Sequence, residues 1–442
     1  MTNEIEIFAF SGNRRDELTG ALSQTLSGWE KTGDLSYYAA EARQSRGRFS
    51  PDDDCRLVLV VPSLDDFRRG LETAVTYMDS PGRISPEGPA DILYGEGKPS
   101  GKVAFLFPGQ GSQYVPMGKD LTDFFQDAKI AIEDMERFFD PEKPLRSFMF
   151  PPSPTDKNEK NQLESALRQT EIAQPAIGAV SLAMIKILAL FNVYPDAAAG
   201  HSYGELSALC AGGRLGETDF FRLSVWRGRL MADACGPDKG QMLAVKAHPD
   251  KILEIMRESG LDLVLANKNS PEQGVLSGAT PDIARMQKIC KAHRLRAMVL
   301  PVSAAFHSRL VSNAAEGFRG KIDAVDILPA AIPVYSNQTA LPYPSDAAET
   351  RRLLGEHLVS PVNFLDQVKN MHAAGVRTFI EAGPKNVLTG LVKAILAGDS
   401  FQAFSVDASS GKQHGRHDLA RVLARLAADG YPVDLTPWGQ GA

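Results

Sequence analysis

The chain is predicted to be an α/β protein built around a parallel sheet, with one smaller α/β unit inserted into the main one and another ahead of it. Three observations in the 442-residue sequence carry this. Short, almost wholly apolar runs such as CRLVLVV at 55–61 and VAFLF at 103–107 read as strands buried on both faces. Helix-length stretches with apolar spacing separate these runs, so strands and helices alternate along the chain. In AAAGHSYGELSAL a short apolar strand passes through a glycine-flanked turn directly into a good helix-forming run.

The elements follow in order. Residues 4–10 (EIEIFAF) read as a strand, Arg14 to Trp29 as a helix, Cys55 to Val61 as a buried strand and Ser63 to Met78 as a second helix. Ser80 to Lys102 is loaded with Pro and Gly, cannot sustain a helix, and reads as a linker that puts a boundary near residue 100. The strand at 103–107 then runs into PGQGSQ. The hydrophilic stretch PPSPTDKNEKNQ at 151–162 reads as an exposed loop, and Ile172 to Phe191 as a long packed helix over the sheet.

Between 241 and 302 the order is strand, helix, strand, strand, helix, strand, which is the split ferredoxin-like unit. The sheet resumes with IPVYSN and TFIEAG, and the tail holds a helix at Asp418 to Ala428 and the extended YPVDLTPW. The expected units are 1–100, an α/β unit; 101–240 with 303–400, the large domain; 241–302, the inserted subdomain; and 401–442, a C-terminal segment.

Composition narrows the function. With 43% hydrophobic residues the chain can bury more than one core, since single cores stop growing at about 250–300 residues. Its net charge of -6, with no dense Lys/Arg run, disfavours nucleic acid as a partner. The four cysteines, Cys55, Cys210, Cys235 and Cys290, are too scattered for a disulfide framework, which suits a reducing cytoplasm. No signal-peptide core opens the chain and no run of about 18 apolar residues is evident, so secretion and membrane spanning are disfavoured. The histidines show no paired ligand spacing, so neither a metal nor a redox cofactor is expected.

Gly200-His201-Ser202-Tyr203-Gly204 has the form of a nucleophile elbow, and it makes the large domain α/β-hydrolase-like. Glycines at 200 and 204 allow strand and helix to approach, leaving the Ser202 hydroxyl exposed on a strained turn facing the helix N-terminal dipole. A serine hydroxyl needs a base. Of eight histidines, His307 in LPVSAAFHSRLV is best placed, at the end of an apolar strand-like run.

The set FPGQGSQ (107–113), GHSYGE (200–205), WRGRLM (226–231), AFHS (305–308) and EAGPKNVLTGL (381–391) resembles, in that order, the malonyl-CoA:acyl carrier protein transacylases and the acyltransferase domains of polyketide, polyunsaturated-fatty-acid and enediyne synthases. Residues 1–100 are similar to the linker between ketosynthase and acyltransferase in such synthases, and GYPVDLTPW to the post-acyltransferase linker. The resemblance implies a Ser202 nucleophile and a His307 base oriented by a backbone carbonyl at the position of His357. It implies an oxyanion hole from the amides of Gln110 and Tyr203, and Arg227 gripping the malonyl carboxylate by two parallel hydrogen bonds. Gln174, His201 and Phe306 fall with the substrate-binding residues, Phe306 at a position where Phe accompanies malonyl selection. Tyr203 is less common at its position, which leaves room for an unusual extender.

The implied reaction is ping-pong transfer of malonyl from malonyl-CoA to the phosphopantetheine thiol of an acyl carrier protein, with a ketosynthase as a further partner. Two alternatives stay open: a thioester hydrolase using the same Ser-His pair, which has no use for Arg227 if its acyl chains are uncharged, and a non-catalytic docking scaffold, which has no need of the pair.

Overall fold

The structure, a computed structural model, describes residues 5–79, 90–233, 239–302 and 304–439. The chain opens with strand β1 (Glu6–Gly12), helices Arg15–Thr32 and Leu35–Arg48, strand β2 (Cys55–Val61), helix Leu64–Asp79 and strand β3 (Asp91–Glu96). These strands make an antiparallel sheet in the order β1-β2-β3. All seven residues of β2 are buried, because the sheet is covered on both sides. Leu57, Leu59 and Val61 pack with Phe8, Phe67 and Leu71. Val58 and Val60 face the main core with Leu419 and Leu423 of the C-terminal helix.

One expectation for this region is corrected, and one helix stands where the sequence predicts no element. The segment read as a linker contains β3, a half-buried strand paired with β2, while residues 80–89 lie outside the described residues. Helix Leu35–Arg48 had no strong apolar period to announce it; Asp34 starts it by accepting from the Tyr37 amide at 2.8 Å, and its buried stripe is the mixed set Tyr38, Ala42, Ser45 and Arg46.

Strand β4 (Lys102–Phe107) begins the central sheet. Its side chains alternate between two cores, Val103, Phe105 and Phe107 on one face and Ala104 and Leu106 on the other. Helix Lys157–Leu167 occupies part of the stretch read as a loop: Asp156 caps it through the amides of Asn158 and Glu159, and only Leu167 is buried, so no apolar period marks it. Helix Thr170–Leu190 is long and apolar enough to cross a membrane by length and composition, but 83% of its apolar window is buried inside the protein. Strand β5 (Ala197–Gly200) follows and leads into helix Gly204–Ala211.

After helix Glu217–Asp233 the chain builds strands β6 (Gln241–Val245), β7 (Leu263–Ser270), β8 (Gln273–Gly278) and β9 (Ala297–Val299), with helices Pro249–Ser259 and Thr280–Ala292. Their antiparallel order is β7-β8-β6-β9. One face of this sheet closes a small core around Leu243, Leu276 and Met286, while Met242 and Val275 join the main core.

The chain then returns with β10 (Val334–Tyr335), β11 (Val376–Glu381) and β12 (Gln402–Ser405), giving a five-stranded parallel sheet in the order β10-β5-β4-β11-β12. Because β12 pairs with β11 in register from Thr378 to Glu381, a boundary at residue 400 would cut through this sheet. Helix Gly415–Ala428 and the tail lock onto the first unit. Arg56 of β2 donates to the Ala428 carbonyl at the end of that helix, and Trp438 Nε1 donates to Ile5 O at 3.1 Å. Arg46 is buried against Glu6 at 2.6 Å and reaches Trp438 O at 2.8 Å.

Candidate active site

Ser202 sits where β5 turns into helix Gly204–Ala211, with its backbone at φ 51°, a left-handed conformation unusual for a residue with a Cβ. The turn is tight because its neighbours have no side chains. A Cβ on Gly200 would overlap the Gly204 backbone, and one on Gly204 would overlap the Phe107 carbonyl of β4. The Ser202 amide donates to Asn337 Oδ1 at 2.7 Å, while Asn337 Nδ2 donates to Gly200 O at 2.5 Å, so one carboxamide brackets the elbow.

Ser202 Oγ lies 2.7 Å from His307 Nε2. The other ring nitrogen, Nδ1, faces two backbone carbonyls, Ser360 O at 3.0 Å and His357 O at 3.2 Å. With both carbonyls as acceptors, Nδ1 carries the proton and Nε2 presents its lone pair to the serine. His307 is 3% exposed, and burial first, then the nearby Arg227 charge, lowers its pKa to about 3. The imidazole is therefore neutral and able to accept a proton at any ordinary pH. Ser360 had no sequence signal, since a main-chain oxygen can come from any residue.

Seven of the nine residues singled out from the sequence, Gln110, Gln174, His201, Ser202, Arg227, Phe306 and His307, line one cavity of about 520 Å³. Tyr203 and His357 do not line it. The Tyr203 ring is fully buried beneath Arg227, whose guanidinium carbon is 5.8 Å from the ring centroid, and its hydroxyl donates to Ser224 Oγ at 2.8 Å. The ring thus cannot widen or narrow the cavity directly, and what Tyr203 offers the site is its amide. The His357 imidazole lies beside that of His307, ring centroids 5.6 Å apart, and its Nε2 is 3.1 Å from Glu205 Oε2.

Arg227 is 1% exposed on helix Glu217–Asp233. Its Nη1 donates to Gln174 Oε1 at 2.8 Å, while Nε and Nη2 have no hydrogen-bond partner. Burial lowers its pKa to about 10, so it stays charged near neutrality. A buried cation with two free donors in a cavity suits an anionic group with paired oxygens, such as a carboxylate.

The PGQG loop approaches the elbow closely: a Cβ on Gly109 would overlap His201 O and lie 3.5 Å from the Tyr203 amide nitrogen. Among the described residues, neither the Gln110 nor the Tyr203 amide has a hydrogen-bond partner, so the two neighbouring donors are available to an oxygen at the serine. The Gln110 side chain turns aside to Thr170 Oγ1 at 3.1 Å. His201 Nε2 meets Asn269 Oδ1 of β7 at 2.8 Å, tying the elbow to the inserted sheet. That sheet also supplies Met242, Ala244 and Val275 as an apolar wall. Among the described residues, no three His, Cys, Asp or Glu side chains converge as a metal-holding group. The arrangement can deprotonate a hydroxyl, stabilise an oxyanion and hold a carboxylate in one cavity.

The family model described as the acyl transferase domain matches residues 104–427. A malonyl CoA-acyl carrier protein transacylase of Bacillus subtilis (strain 168) is 37% identical over 299 residues, covering 66% of this chain and 90% of that protein. A polyunsaturated fatty acid synthase protein of Thraustochytrium sp. is 34% identical over 329 residues, 71% of this chain but only 11% of that much longer protein. Among solved structures, the acyltransferase domain from the second module of the salinomycin polyketide synthase is similar with a TM-score of 0.75 and 27% identity, over 98% of this chain and 96% of that one. With more than half of its length inside the family model, Ser202 and His307 included, the chain belongs to the acyl transferase domain family.

Proposed function

We propose that the protein transfers a malonyl unit from malonyl-CoA to the phosphopantetheine thiol of an acyl carrier protein. The observation that carries this reading is that the cavity holding the 2.7 Å Ser202–His307 contact also holds the buried Arg227 with Nε and Nη2 unpartnered. A thioester hydrolase for uncharged chains has no use for such a cation.

In the first half-reaction His307 Nε2 takes the Ser202 proton as Oγ attacks the thioester carbonyl. The carbonyl π electrons move to oxygen, and the amides of Gln110 and Tyr203 meet the resulting anion. Collapse breaks the carbon–sulfur bond and the imidazolium returns its proton to the departing thiolate of CoA. In the second half the carrier thiol loses its proton to His307 and attacks the acyl-serine; collapse then frees Ser202 Oγ, which recovers the proton. Throughout, Arg227, steadied by Gln174, holds the malonyl carboxylate, while His201 and Phe306 shape the cavity around the acyl group. The carbonyls of Ser360 and His357 keep His307 in the required tautomer. The activated thioester of the substrate and the Ser202–His307 pair together supply the reacting groups, so the mechanism calls for no cofactor.

The same reading extends to architecture. The β6–β9 unit reads as ferredoxin-like, supported by its order β7-β8-β6-β9, and the central sheet with its elbow reads as α/β-hydrolase-like. The β1–β3 unit and the tail read as the two linkers that flank an acyltransferase, with a ketosynthase as neighbour and the cytoplasm as setting.

Incubation with malonyl-, methylmalonyl- and acetyl-CoA in turn, followed by intact mass, tests the assignment. A malonyl adduct that moves to added holo carrier protein is expected. Release of free malonate at the same rate with and without carrier protein would instead make the protein a hydrolase.

A further inference from the structure

Behind the cavity runs a chain of contacts that joins the two halves of the Ser202–His307 pair from the rear. It is centred on Glu205, the last residue of GHSYGE, which is fully buried on helix Gly204–Ala211. Glu205 Oε1 accepts from the Asn337 amide at 3.1 Å and from the Tyr343 hydroxyl at 2.5 Å. Asn337 in turn brackets the elbow through the Ser202 amide and the Gly200 carbonyl. Glu205 Oε2 lies 3.1 Å from His357 Nε2, and the His357 carbonyl accepts from His307 Nδ1. His307 Nε2 closes the ring on Ser202 Oγ.

We propose that Glu205 is the positioning residue of this active site, acting on the serine through Asn337 and on the histidine through His357. Within the proposed transfer it touches no substrate, because none of Glu205, Asn337 and His357 lines the cavity. The need for such a device is visible in the backbone. Ser202 and His307 both sit at positive φ, 51° and 59°, and strained residues of this kind hold their geometry only when the surroundings over-determine it. Two separate chain segments, β10 with its following turn and the His357–Val359 turn, must also keep a fixed distance for Oγ and Nε2 to meet at 2.7 Å.

The chemistry of Glu205 fits a strut rather than a proton donor to substrate. Burial raises its pKa to about 7 and, with the nearby Arg227 charge, holds His357 well below the usual histidine range, so a neutral imidazole faces a carboxyl that titrates near neutrality. The Oε2–Nε2 approach is a close contact without aligned hydrogen-bond geometry, and neither atom has another hydrogen-bond partner. Neutral His357 can present Nε2 as a donor to the carboxylate or as an acceptor to the protonated acid, so the two groups match in either state of Glu205. A neutral isostere at 205 therefore preserves the strut.

The test measures Ser202 reactivity toward a small fluorophosphonate alongside steady-state malonyl transfer, on the full chain, with folding followed by near-ultraviolet circular dichroism. Glu205→Ala is expected to slow phosphonylation and transfer at least tenfold, with the half-saturating malonyl-CoA concentration changed less than twofold. Glu205→Gln should restore both rates to within about threefold. His357→Ala, which keeps the carbonyl but loses the imidazole, should slow both reactions, and the Glu205→Ala/His357→Ala double variant should be little slower than Glu205→Ala. If Glu205→Ala does not fold, Glu205→Gln and His357→Ala carry the test alone. A normal rate in His357→Ala, a Glu205→Gln variant as slow as Glu205→Ala, or an effect confined to the half-saturating concentration would overturn the proposal. Loss of phosphonylation in Glu205→Ala from a parent that reacts with the probe but never transfers malonyl would leave the strut standing and remove the malonyl assignment instead.

Discussion

Ser202 Oγ and His307 Nε2 meet at 2.7 Å while both residues hold left-handed backbones, at φ 51° and 59°. For a residue with a Cβ that conformation costs about 1–2 kcal/mol, and glycine avoids the cost. Two substitutions at Ser202 therefore separate chemistry from strain. Ser202→Ala and Ser202→Gly should both abolish the covalent malonyl adduct in intact mass, since neither has a nucleophile. Ser202→Gly should nonetheless be about 1 kcal/mol more stable than Ser202→Ala in urea unfolding, because alanine keeps the Cβ. A lasting adduct on either variant would remove Ser202 from the mechanism, and equal stabilities would mean that the elbow is not strained.

Arg227 supplies the second prediction. Its Nε and Nη2 are buried and unpartnered, and a charge-assisted contact to a carboxylate contributes about 1.5–3 kcal/mol, or about one to two decades in rate. Arg227→Ala should lower kcat/KM for malonyl-CoA by that factor while leaving or raising it for acetyl-CoA, which has no carboxylate to strand. An unchanged malonyl-to-acetyl ratio would reopen the hydrolase reading.

Much of this was legible in the sequence because it depends on local chemistry. The strand at 55–61 announces itself as seven consecutive buried residues, and the elbow as a serine between two glycines that have no room for a Cβ. Elements that a cap starts rather than an apolar period were not legible: helix Lys157–Leu167 buries only Leu167, and Asp156 alone marks its start. The rear of the site was hidden for another reason. Ser360 acts through a carbonyl that any residue has, and Asn337 lies 135 residues from the amide it accepts from. Glu205 was visible as the end of GHSYGE, but a glutamate early in a helix reads as a favourable charge near the N-terminus, not as a buried strut.

A third prediction concerns what holds Tyr203 under Arg227. Gly178, inside helix Thr170–Leu190, faces the Tyr203 hydroxyl so closely that a Cβ there would overlap it, and Phe220 closes the other side at 3.0 Å. Gly178→Ala should cost about 1–3 kcal/mol by overpacking. Adding Tyr203→Phe should recover part of that loss, since removing the hydroxyl removes the overlap, although Ser224 loses its donor. A double-mutant cycle in urea decides: strictly additive costs would mean that the two residues do not press on each other.

The last prediction follows from the protonation of His307. An ordinary histidine, with a pKa of about 6.5, would lose its basic form on acidification, and the rate would fall about 30-fold by pH 5. Here burial is the larger cause and the Arg227 charge the next, and together they hold the pKa at about 3. The sign is clear, because a depressed histidine pKa keeps the proton-accepting form in place down to that lower value. The plot of log kcat/KM against pH should therefore be flat from pH 8 to pH 5. Glu205, raised to about 7 by burial, takes up a proton inside that window, but it touches no substrate and its neutral form still spans the contact to His357. Removing the cation in Arg227→Ala should move the acid limb of the profile upward, measured with acetyl-CoA so that loss of malonyl binding does not intrude. The limb should stay below that of an ordinary histidine, because the larger cause, burial, is untouched. A parent profile that bends near 6.5 would show that His307 is solvated in the working enzyme, and a limb in Arg227→Ala unmoved from the parent's would show that Arg227 does not act on the imidazole.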